Sequence, residues 1–118
     1  MSDEGTDVRR GDIVVVDLDP TRGHEIRNTR PGVVVQNDIG NRNASTTVVA
    51  PATTTHRGYP FEVHVPAAES DFERDSSIRV DQVRTVDIAE RIRFVAGRLS
   101  ASVMRDVDDA LRIELALD

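Results

Sequence analysis

Short apolar runs alternate with polar stretches along the first three quarters of this chain. Six runs of four to seven residues, rich in valine and isoleucine, are too short for buried helices and predict β-strands. Residues 92–95 fit either a strand or a helix. The predicted strands cover residues 12–18, 32–37, 46–50, 61–65, 77–80 and 83–86.

Near the C terminus the apolar positions change to the spacing of an amphipathic helix, which Ser100 or Ser102 is placed to cap. Its apolar positions are Val103, Val107, Ala110, Leu111 and Leu115. Six or so short strands followed by one such helix predict a mainly β fold with α. We expect a small barrel or strongly twisted sheet, with the helix covering one open side.

The chain has 118 residues, enough for one domain with a single sizeable core. We expect one domain over residues 9–118, preceded by a polar, disordered segment over residues 1–8. The absence of cysteine excludes disulfides and cysteine-based zinc sites. No apolar run approaches the ~18–20 residues of a membrane span, and nothing resembles a signal peptide. The sequence therefore predicts a cytoplasmic protein without a membrane partner.

Both the net charge and the types of charged residue are unusual. The net charge is −6, which by itself argues against a nucleic-acid-binding protein. All 15 basic residues are arginine, and aspartate outnumbers glutamate two to one. Such a composition resembles that of proteins from organisms with a salt-filled cytoplasm and points to a halophilic archaeal source. The alternative is the codon bias of a GC-rich genome.

Three long polar loops, residues 19–31, 38–45 and 53–60, carry residue types that bind nucleic acid. Arginine forks pair with phosphate, asparagine side chains read base edges, and Tyr59 offers a ring on which a base can stack. The loops are candidates for binding single-stranded nucleic acid, with an ordinary set of polar loops as the alternative. Their arginines are Arg22, Arg27, Arg30, Arg42 and Arg57.

Other catalytic chemistries lack their motifs. His24, His56 and His64 are scattered without a metal-ligand spacing, and the aspartate clusters fit a solvated acidic face better than a cation site. The glycines are isolated, so neither a phosphate-cradling loop nor a nucleophile elbow is present. The sequence predicts neither a metal nor a cofactor.

Several segments in register resemble the MazF/PemK toxin family over about residues 9–117. Any one of them is a weak signal, but their shared order along nearly the whole chain is specific. The segments are RGD at 10–12, DLDPT at 17–21, GHE at 23–25, TRP at 29–31, VVVQND at 33–38, VVAPAT at 48–53, FERDS at 72–76 and DQVRTVD at 81–87.

The resemblance implies an SH3-like small barrel of mostly antiparallel strands with a C-terminal helix. It also implies the toxin component of a type II toxin–antitoxin system, acting as a homodimer that binds single-stranded RNA along a groove. The implied activity is metal-independent, sequence-specific endoribonuclease cleavage of messenger RNA, giving 2′,3′-cyclic phosphate and 5′-OH ends. The implied partner is a MazE-like antitoxin whose disordered acidic tail blocks the groove.

The resemblance also assigns roles to individual residues. Arg30 matches the family's catalytic arginine, Thr53 its catalytic threonine, and Glu25 a loop acid that contributes in some members. His24 stands where the family often has a small residue, which leaves its part in the chemistry open. By acid–base chemistry the candidate general bases are Glu25 and His24, since a threonine hydroxyl is a poor base. Residues expected to face RNA, with Tyr59 added from its ring chemistry, are His24, Asn37, Tyr59, Asp81, Gln82 and Arg84.

Two rival functions use the same fold. The first is a non-enzymatic protein that poisons DNA gyrase through a C-terminal end carrying tryptophan, and this chain has no tryptophan. The second is an inactive adaptor, against which the intact pair Arg30 and Thr53 argues.

Overall fold

In the computed structural model, which describes residues 7–118, seven strands form an antiparallel sheet flanked by three helices. None of these helices combines the length and apolar surface that a membrane span requires. The helices are α1 (Asp38–Asn43), α2 (Ile88–Arg91) and α3 (Ala101–Glu114). The strands are β1 (Asp12–Asp17), β2 (Thr29–Val34), β3 (Thr46–Thr53), β4 (Glu62–Val65), β5 (Ser76–Arg79), β6 (Arg84–Asp87) and β7 (Ile92–Arg98).

All six predicted strands are present, and residues 92–95 belong to the seventh, but several strand ends differ from the prediction. Strand β2 begins at Thr29, so Arg30 lies on a strand and not in a loop. Strand β3 continues through Pro51 to Thr53, although we expected it to end at Ala50. Pro51 stands where β3 changes its partner from β6 to β5. Proline, which lacks an N–H, is tolerated at such an interruption of a ladder.

The prediction that residues 38–45 form a loop was wrong, because helix α1 occupies most of this segment. The helix is held by polar contacts rather than by an apolar stripe. The Asn37 side chain accepts the Gly40 N–H at 2.8 Å and caps the first turn. Asn41 is buried and accepts hydrogen bonds from the Thr47 hydroxyl at 2.6 Å and the Gln36 amide at 3.0 Å. A search for apolar periodicity cannot detect such a helix.

The predicted disorder of residues 1–8 falls mostly on residues 1–6, which lie outside the described part of the chain. Within the described part, Val8 is only 5% exposed and packs with the apolar side chains of β1. The ordered structure therefore extends at least one residue further towards the N terminus than the sequence predicted.

Strand β3 is the centre of the sheet, whose order is β4-β5-β3-β2-β1-β7, with β6 also paired to β3. Neighbouring residues along the strands enter two separate cores, as Val33 and Val34 do on β2. Because successive side chains of a strand point to opposite faces, the two cores lie on opposite sides of the sheet. The first core includes the inner side of α3, and the second lies between β1, β6 and α2.

Helix α3 closes the first core as the sequence predicted. Ser100 caps it by accepting the Val103 N–H at 3.2 Å. Val107 and Ala110 are fully or almost fully buried, whereas Leu115 is 54% exposed. The buried stripe therefore ends before the last predicted apolar position.

Candidate active site

Two rows of side chains cross four adjacent strands on the sheet surface opposite the first core. In the first row His64 is paired with Ser77, and Ser77 is paired with Thr53. The β2–β3 ladder ends at the pair Gly32 and Pro51, and the same register carried two residues further would set Arg30 opposite Thr53. Directly opposed residues of antiparallel strands share a face and lie about 5 Å apart at Cβ.

The second row lies one pleat further along the strands and contains Glu62, Arg79, Pro51 and Gly32. We call the surface formed by both rows the polar face. A side chain at position 32 would crowd Val16, because a Cβ there would come within 3.2 Å of Val16 Cγ1. Glycine at this position therefore keeps this part of the polar face open. Arg30 and Thr53, predicted from separate segments, thus lie on adjacent strands, each two residues from the last pair of the ladder that joins those strands.

The backbone fixes the orientation of Arg30. Its Nε–H donates to the Arg27 carbonyl at 2.8 Å, which orients the plane of the guanidinium. The two terminal nitrogens of Arg30 have no hydrogen-bond partner among residues 7–118. Arg30 therefore presents an oriented fork that can bind two oxygens of an anion.

Thr53 ends β3 beside this arginine. Its hydroxyl donates to the Thr55 carbonyl at 3.1 Å, so its proton is occupied. The oxygen lone pairs remain available to accept a hydrogen bond from a bound hydroxyl group. Thr53 is therefore suited to orient a donor rather than to remove its proton.

A cavity of about 370 Å³ lies over Pro51 between the β1–β2 loop and the turn that precedes β6. It collects four of the nine predicted site residues from two separate parts of the chain. Gln82 Oε1 accepts the Ile26 N–H at 3.3 Å and ties the loop to the turn. The residues around the cavity are Glu25, Ile26, Pro51, Asp81, Gln82, Val83 and Arg84.

Three of the predicted RNA-facing residues have structural partners. Both Asp81 oxygens accept from Arg79, at 2.8 and 2.6 Å, and this contact raises the pKa of Arg79. The Arg79 guanidinium also lies 5.5 Å from the centre of the Tyr59 ring, which stacks on Phe61. Arg84 donates to the Leu18 carbonyl at 2.9 Å. Asp81 and Arg84 thus help to build the walls of the cavity, whereas Tyr59 lies against the arginine that holds Asp81.

The remaining predicted residues lie at its edge or outside it. Glu25 borders the cavity, and its carboxylate accepts the Arg22 N–H at 2.8 Å within the same exposed loop. His24 is exposed beside it. Asn37 caps α1 and borders a different cavity, although Val83 borders both. Asn37 and Gln82 therefore border different cavities.

The sequence did not reveal a histidine cluster on the polar face. His56, from the β3–β4 loop, lies with its ring centre 4.5 Å from that of His64. Its Nδ1 is 3.0 Å from Ser77 Oγ and 3.5 Å from Glu62 Oε1. The alternation along β4 predicts that Glu62 and His64 share a face. The contact with His56 depends on how the loop folds back, which no local pattern specifies.

The comparisons with known proteins agree with this architecture. Residues 9–115 match the family described as PemK-like, MazF-like toxins of type II toxin–antitoxin systems. The chain is 42% identical over 112 residues to endoribonuclease EndoA of Bacillus subtilis, covering 93% of this chain and 96% of EndoA. It is 38% identical over 116 residues to endoribonuclease MazF9 of Mycobacterium tuberculosis, covering 93% of this chain and 98% of MazF9.

Solved structures give the same result for the fold. The structure of MazF from Deinococcus radiodurans superposes with a TM-score of 0.79 at 25% identity, covering 93% of this chain and 97% of that one. The toxin MazF-mt6 of Mycobacterium tuberculosis superposes with a TM-score of 0.76 at 25% identity, covering 91% and 98%. The predicted small, mostly antiparallel barrel with a C-terminal helix is confirmed. The family match over nearly the whole chain and the two curated relatives show that this chain belongs to the PemK-like, MazF-like toxins of type II toxin–antitoxin systems.

Proposed function

We propose that this toxin is a metal-independent, sequence-selective endoribonuclease that cuts single-stranded messenger RNA. The observation that carries the proposal is that Arg30 and Thr53 lie on adjacent strands, each two residues from the paired Gly32 and Pro51, beside a cavity lined by polar groups. Two relatives that share about two fifths of its sequence are named endoribonucleases, which supports the same class of activity here. Because messenger RNA is the substrate, we place the protein in the cytoplasm.

The proposed reaction begins with attack of a ribose 2′-OH on the adjacent 3′ phosphate. The new bond joins O2′ to phosphorus, the bond from phosphorus to O5′ breaks, and the products end in 2′,3′-cyclic phosphate and 5′-OH. The nucleophile belongs to the substrate, so the protein must position it, remove its proton and stabilise the charged phosphorane. A guanidinium does not give up its proton at neutral pH. Arg30 therefore acts by stabilising charge on the two non-bridging oxygens.

Thr53 and Glu25 prepare the nucleophile in this scheme. Thr53 Oγ accepts a hydrogen bond from the 2′-OH, since its own proton is directed at Thr55. Glu25, at the border of the cavity, is our choice for the general base because a carboxylate accepts a proton more readily than a threonine hydroxyl. The neighbouring His24 is the alternative base.

Sequence selection is assigned to the cavity over Pro51, whose volume of about 370 Å³ is typical of sites for small ligands. The Gln82 amide oxygen is held by Ile26, so its NH₂ group is left to donate to a base edge. Single-stranded RNA exposes these edges, whereas a duplex hides them. We infer that Gln82 reads the base next to the cut, with His24, Tyr59 and Arg84 bordering the RNA path.

As a member of a type II toxin family, the chain has a cognate antitoxin as its partner. We propose that a disordered acidic tail of this antitoxin covers the polar face. The loop arginines, including Arg22 and Arg57, form no ion pair with residues 7–118 and are available to such a tail. We also propose that two copies form a homodimer with the RNA groove between them.

A direct test is to incubate the purified protein with a long mixed RNA, with and without EDTA, and to map the new 5′ ends. We expect cuts at one short sequence, products that carry 2′,3′-cyclic phosphate, and no change on chelation. Because the 2′-OH is the nucleophile and Arg30 supplies the positive charge, this reaction needs no metal ion. Loss of cutting in EDTA with recovery in magnesium would contradict the proposal.

A further inference from the structure

Glu62 is a buried carboxylate that organises the β3–β4 loop. Its side chain has 0% exposure, although it lies on the polar face next to Arg79. Its Oε1 accepts the backbone N–H groups of Arg57 at 3.0 Å, Gly58 at 2.7 Å and Tyr59 at 3.2 Å. A single carboxylate thus fixes the residues that directly follow His56.

The same carboxylate oxygen lies 3.5 Å from His56 Nδ1, and Ser77 Oγ lies 3.0 Å from that nitrogen. The carboxylate oxygen can only accept a hydrogen bond, so it favours the tautomer with a proton on Nδ1, whereas the Ser77 hydroxyl can donate or accept. This is the arrangement by which an acid orients a catalytic histidine. Nε2 is left on the other side of a ring whose side chain is 49% exposed. His56 therefore has its Nδ1 side held, whereas Nε2 has no hydrogen-bond partner among residues 7–118.

This nitrogen lies close to the proposed reaction centre. Ser77, which contacts the His56 ring, is directly opposite Thr53 on the neighbouring strand. Adjacent strands are about 4.8 Å apart. His56 therefore borders Thr53 on the side away from Arg30, whereas Glu25 approaches from the cavity over Pro51.

We propose that His56 is the general acid of the cleavage reaction, a role that rests on the endoribonuclease function proposed above. As the P–O5′ bond breaks, its electron pair stays on O5′, which takes the proton from His56 Nε2. The proton of the 2′-OH goes to Glu25 or His24. Neutral His56 then regains a proton from water. Glu62 is the positioning residue that holds the His56 ring and the backbone that follows it.

The test compares normal RNA with RNA whose scissile O5′ is replaced by sulfur, because a thiolate leaves without being protonated. His56→Gln should cut normal RNA about a hundredfold more slowly than the unaltered protein, the usual effect of losing a general acid. On the sulfur-substituted RNA we expect it to cut at nearly the rate of the unaltered protein. Glu62→Gln should show a smaller loss with the same rescue. Arg30→Ala should be slow on both substrates.

His64→Gln is the matched comparison, since it removes the neighbouring imidazole, whose Nδ1 lies 3.5 Å from the same Ser77 Oγ. Whatever its rate on normal RNA, sulfur substitution should not restore it, because O5′ takes its proton from His56. The proposal is overturned if His56→Gln cuts normal RNA at the original rate, or is equally slow on both substrates while its thermal unfolding is unchanged. It is also overturned if His64→Gln shows the rescue instead. If the unaltered protein cuts neither RNA, the proposed function itself fails.

Discussion

The Arg30 guanidinium has a different kind of partner from the arginines that form ion pairs. Within residues 7–118, five arginines outside the long loops form ion pairs with aspartates, as Arg10 does with Asp108 and Arg98 with Asp12, each at 2.6 Å. Arg30 contacts only a backbone carbonyl, so its charge is not neutralised within residues 7–118. An uncompensated, oriented guanidinium is suited to a ligand that carries negative charge.

Replacing this side chain tests the assignment. Arg30→Ala should lower the rate of RNA cleavage about a hundredfold to a thousandfold, the usual effect of losing one donor to a charged transition state. Thr53→Ala removes one neutral hydrogen bond and should cost about fivefold to tenfold. Single-turnover cleavage of a short RNA containing the mapped site measures both effects.

Arg105→Ala is the control for Arg30→Ala, because it removes the same charge from the exposed side of α3. It should cut RNA at nearly the original rate. Equal losses for Arg105→Ala and Arg30→Ala would mean that net charge, rather than position on the polar face, controls activity. Wild-type rates for both Arg30→Ala and Thr53→Ala would show that the site lies elsewhere.

The sequence identified these two residues through their motifs, but it could not show what the neighbouring side chains contact. Asp81 is adjacent to Gln82 in the chain, yet Asp81 is bound by Arg79 while Gln82 holds Ile26. Such partners are distant in sequence or depend on the local turn. The same reason explains why His56 was not recognised, since its contact with Glu62 requires a loop that folds back onto β4.

Helix α1 is an element whose stability depends on a polar network. The Asp38 carboxylate accepts the Arg10 N–H at 2.8 Å and the Asn41 amide at 3.0 Å. These two hydrogen bonds, the first having the larger effect, hold the pKa of Asp38 below its ordinary value of 3.8. The charged form of Asp38 thus ties α1 to the segment before β1.

A lowered pKa in the folded state gives a stability contribution with a definite pH dependence. It is fully present above the unfolded pKa of about 3.8 and is lost as the pH falls through the folded pKa. Asp38→Asn should therefore be less stable than the unaltered protein near pH 7. The difference should shrink as the pH falls below about 3.8 and disappear below the lowered pKa of the folded state, where the native aspartate is protonated too. Urea unfolding at a series of pH values measures this.

Asp109→Asn provides the comparison, because Asp109 is an exposed carboxylate on α3 whose partner is Arg112. Exposed pairs of this kind contribute little to stability. We expect its unfolding curve to stay close to that of the unaltered protein near neutral pH. A stability difference for Asp38→Asn that stays constant down to the lowest pH would show that packing, not ionisation, is what the residue contributes.

Among the helices and strands, the apolar pattern predicted those elements whose position is set by the burial of apolar side chains. The valine-rich runs of β1 and β2 and the stripe of α3 could be predicted because each fills a core. Helix α1 could not, since its one buried residue is Asn41. The end of β3 was also missed, because Pro51 normally interrupts a strand and only the change of partner strand explains why it is tolerated here.

Across the whole molecule, negative and positive charge are distributed unevenly. Helix α3 carries Asp106, Asp108 and Asp109, whereas the loops around the polar face carry arginines without ion-pair partners among residues 7–118. A protein with a net charge of −6 has no long-range attraction to RNA. Binding must therefore depend on contacts made at the polar face itself.

The distribution of charge predicts how RNA cleavage responds to the salt concentration. Ordinary affinity for single strands comes largely from counterion release, and falls with salt by a slope near −0.7 per phosphate contact. In molar KCl the Debye length is about 3 Å, so only short-range contacts such as the Arg30 fork and the Gln82 amide remain effective. If the lysine-free composition reflects a salt-filled cytoplasm, cleavage should persist in molar KCl and stay selective there. Cutting of a matched and a one-base-mismatched RNA, measured from about 0.1 to 3 M KCl, tests both statements. Activity that is highest at the lowest salt and absent by about 1 M would contradict the halophilic origin and this account of binding together.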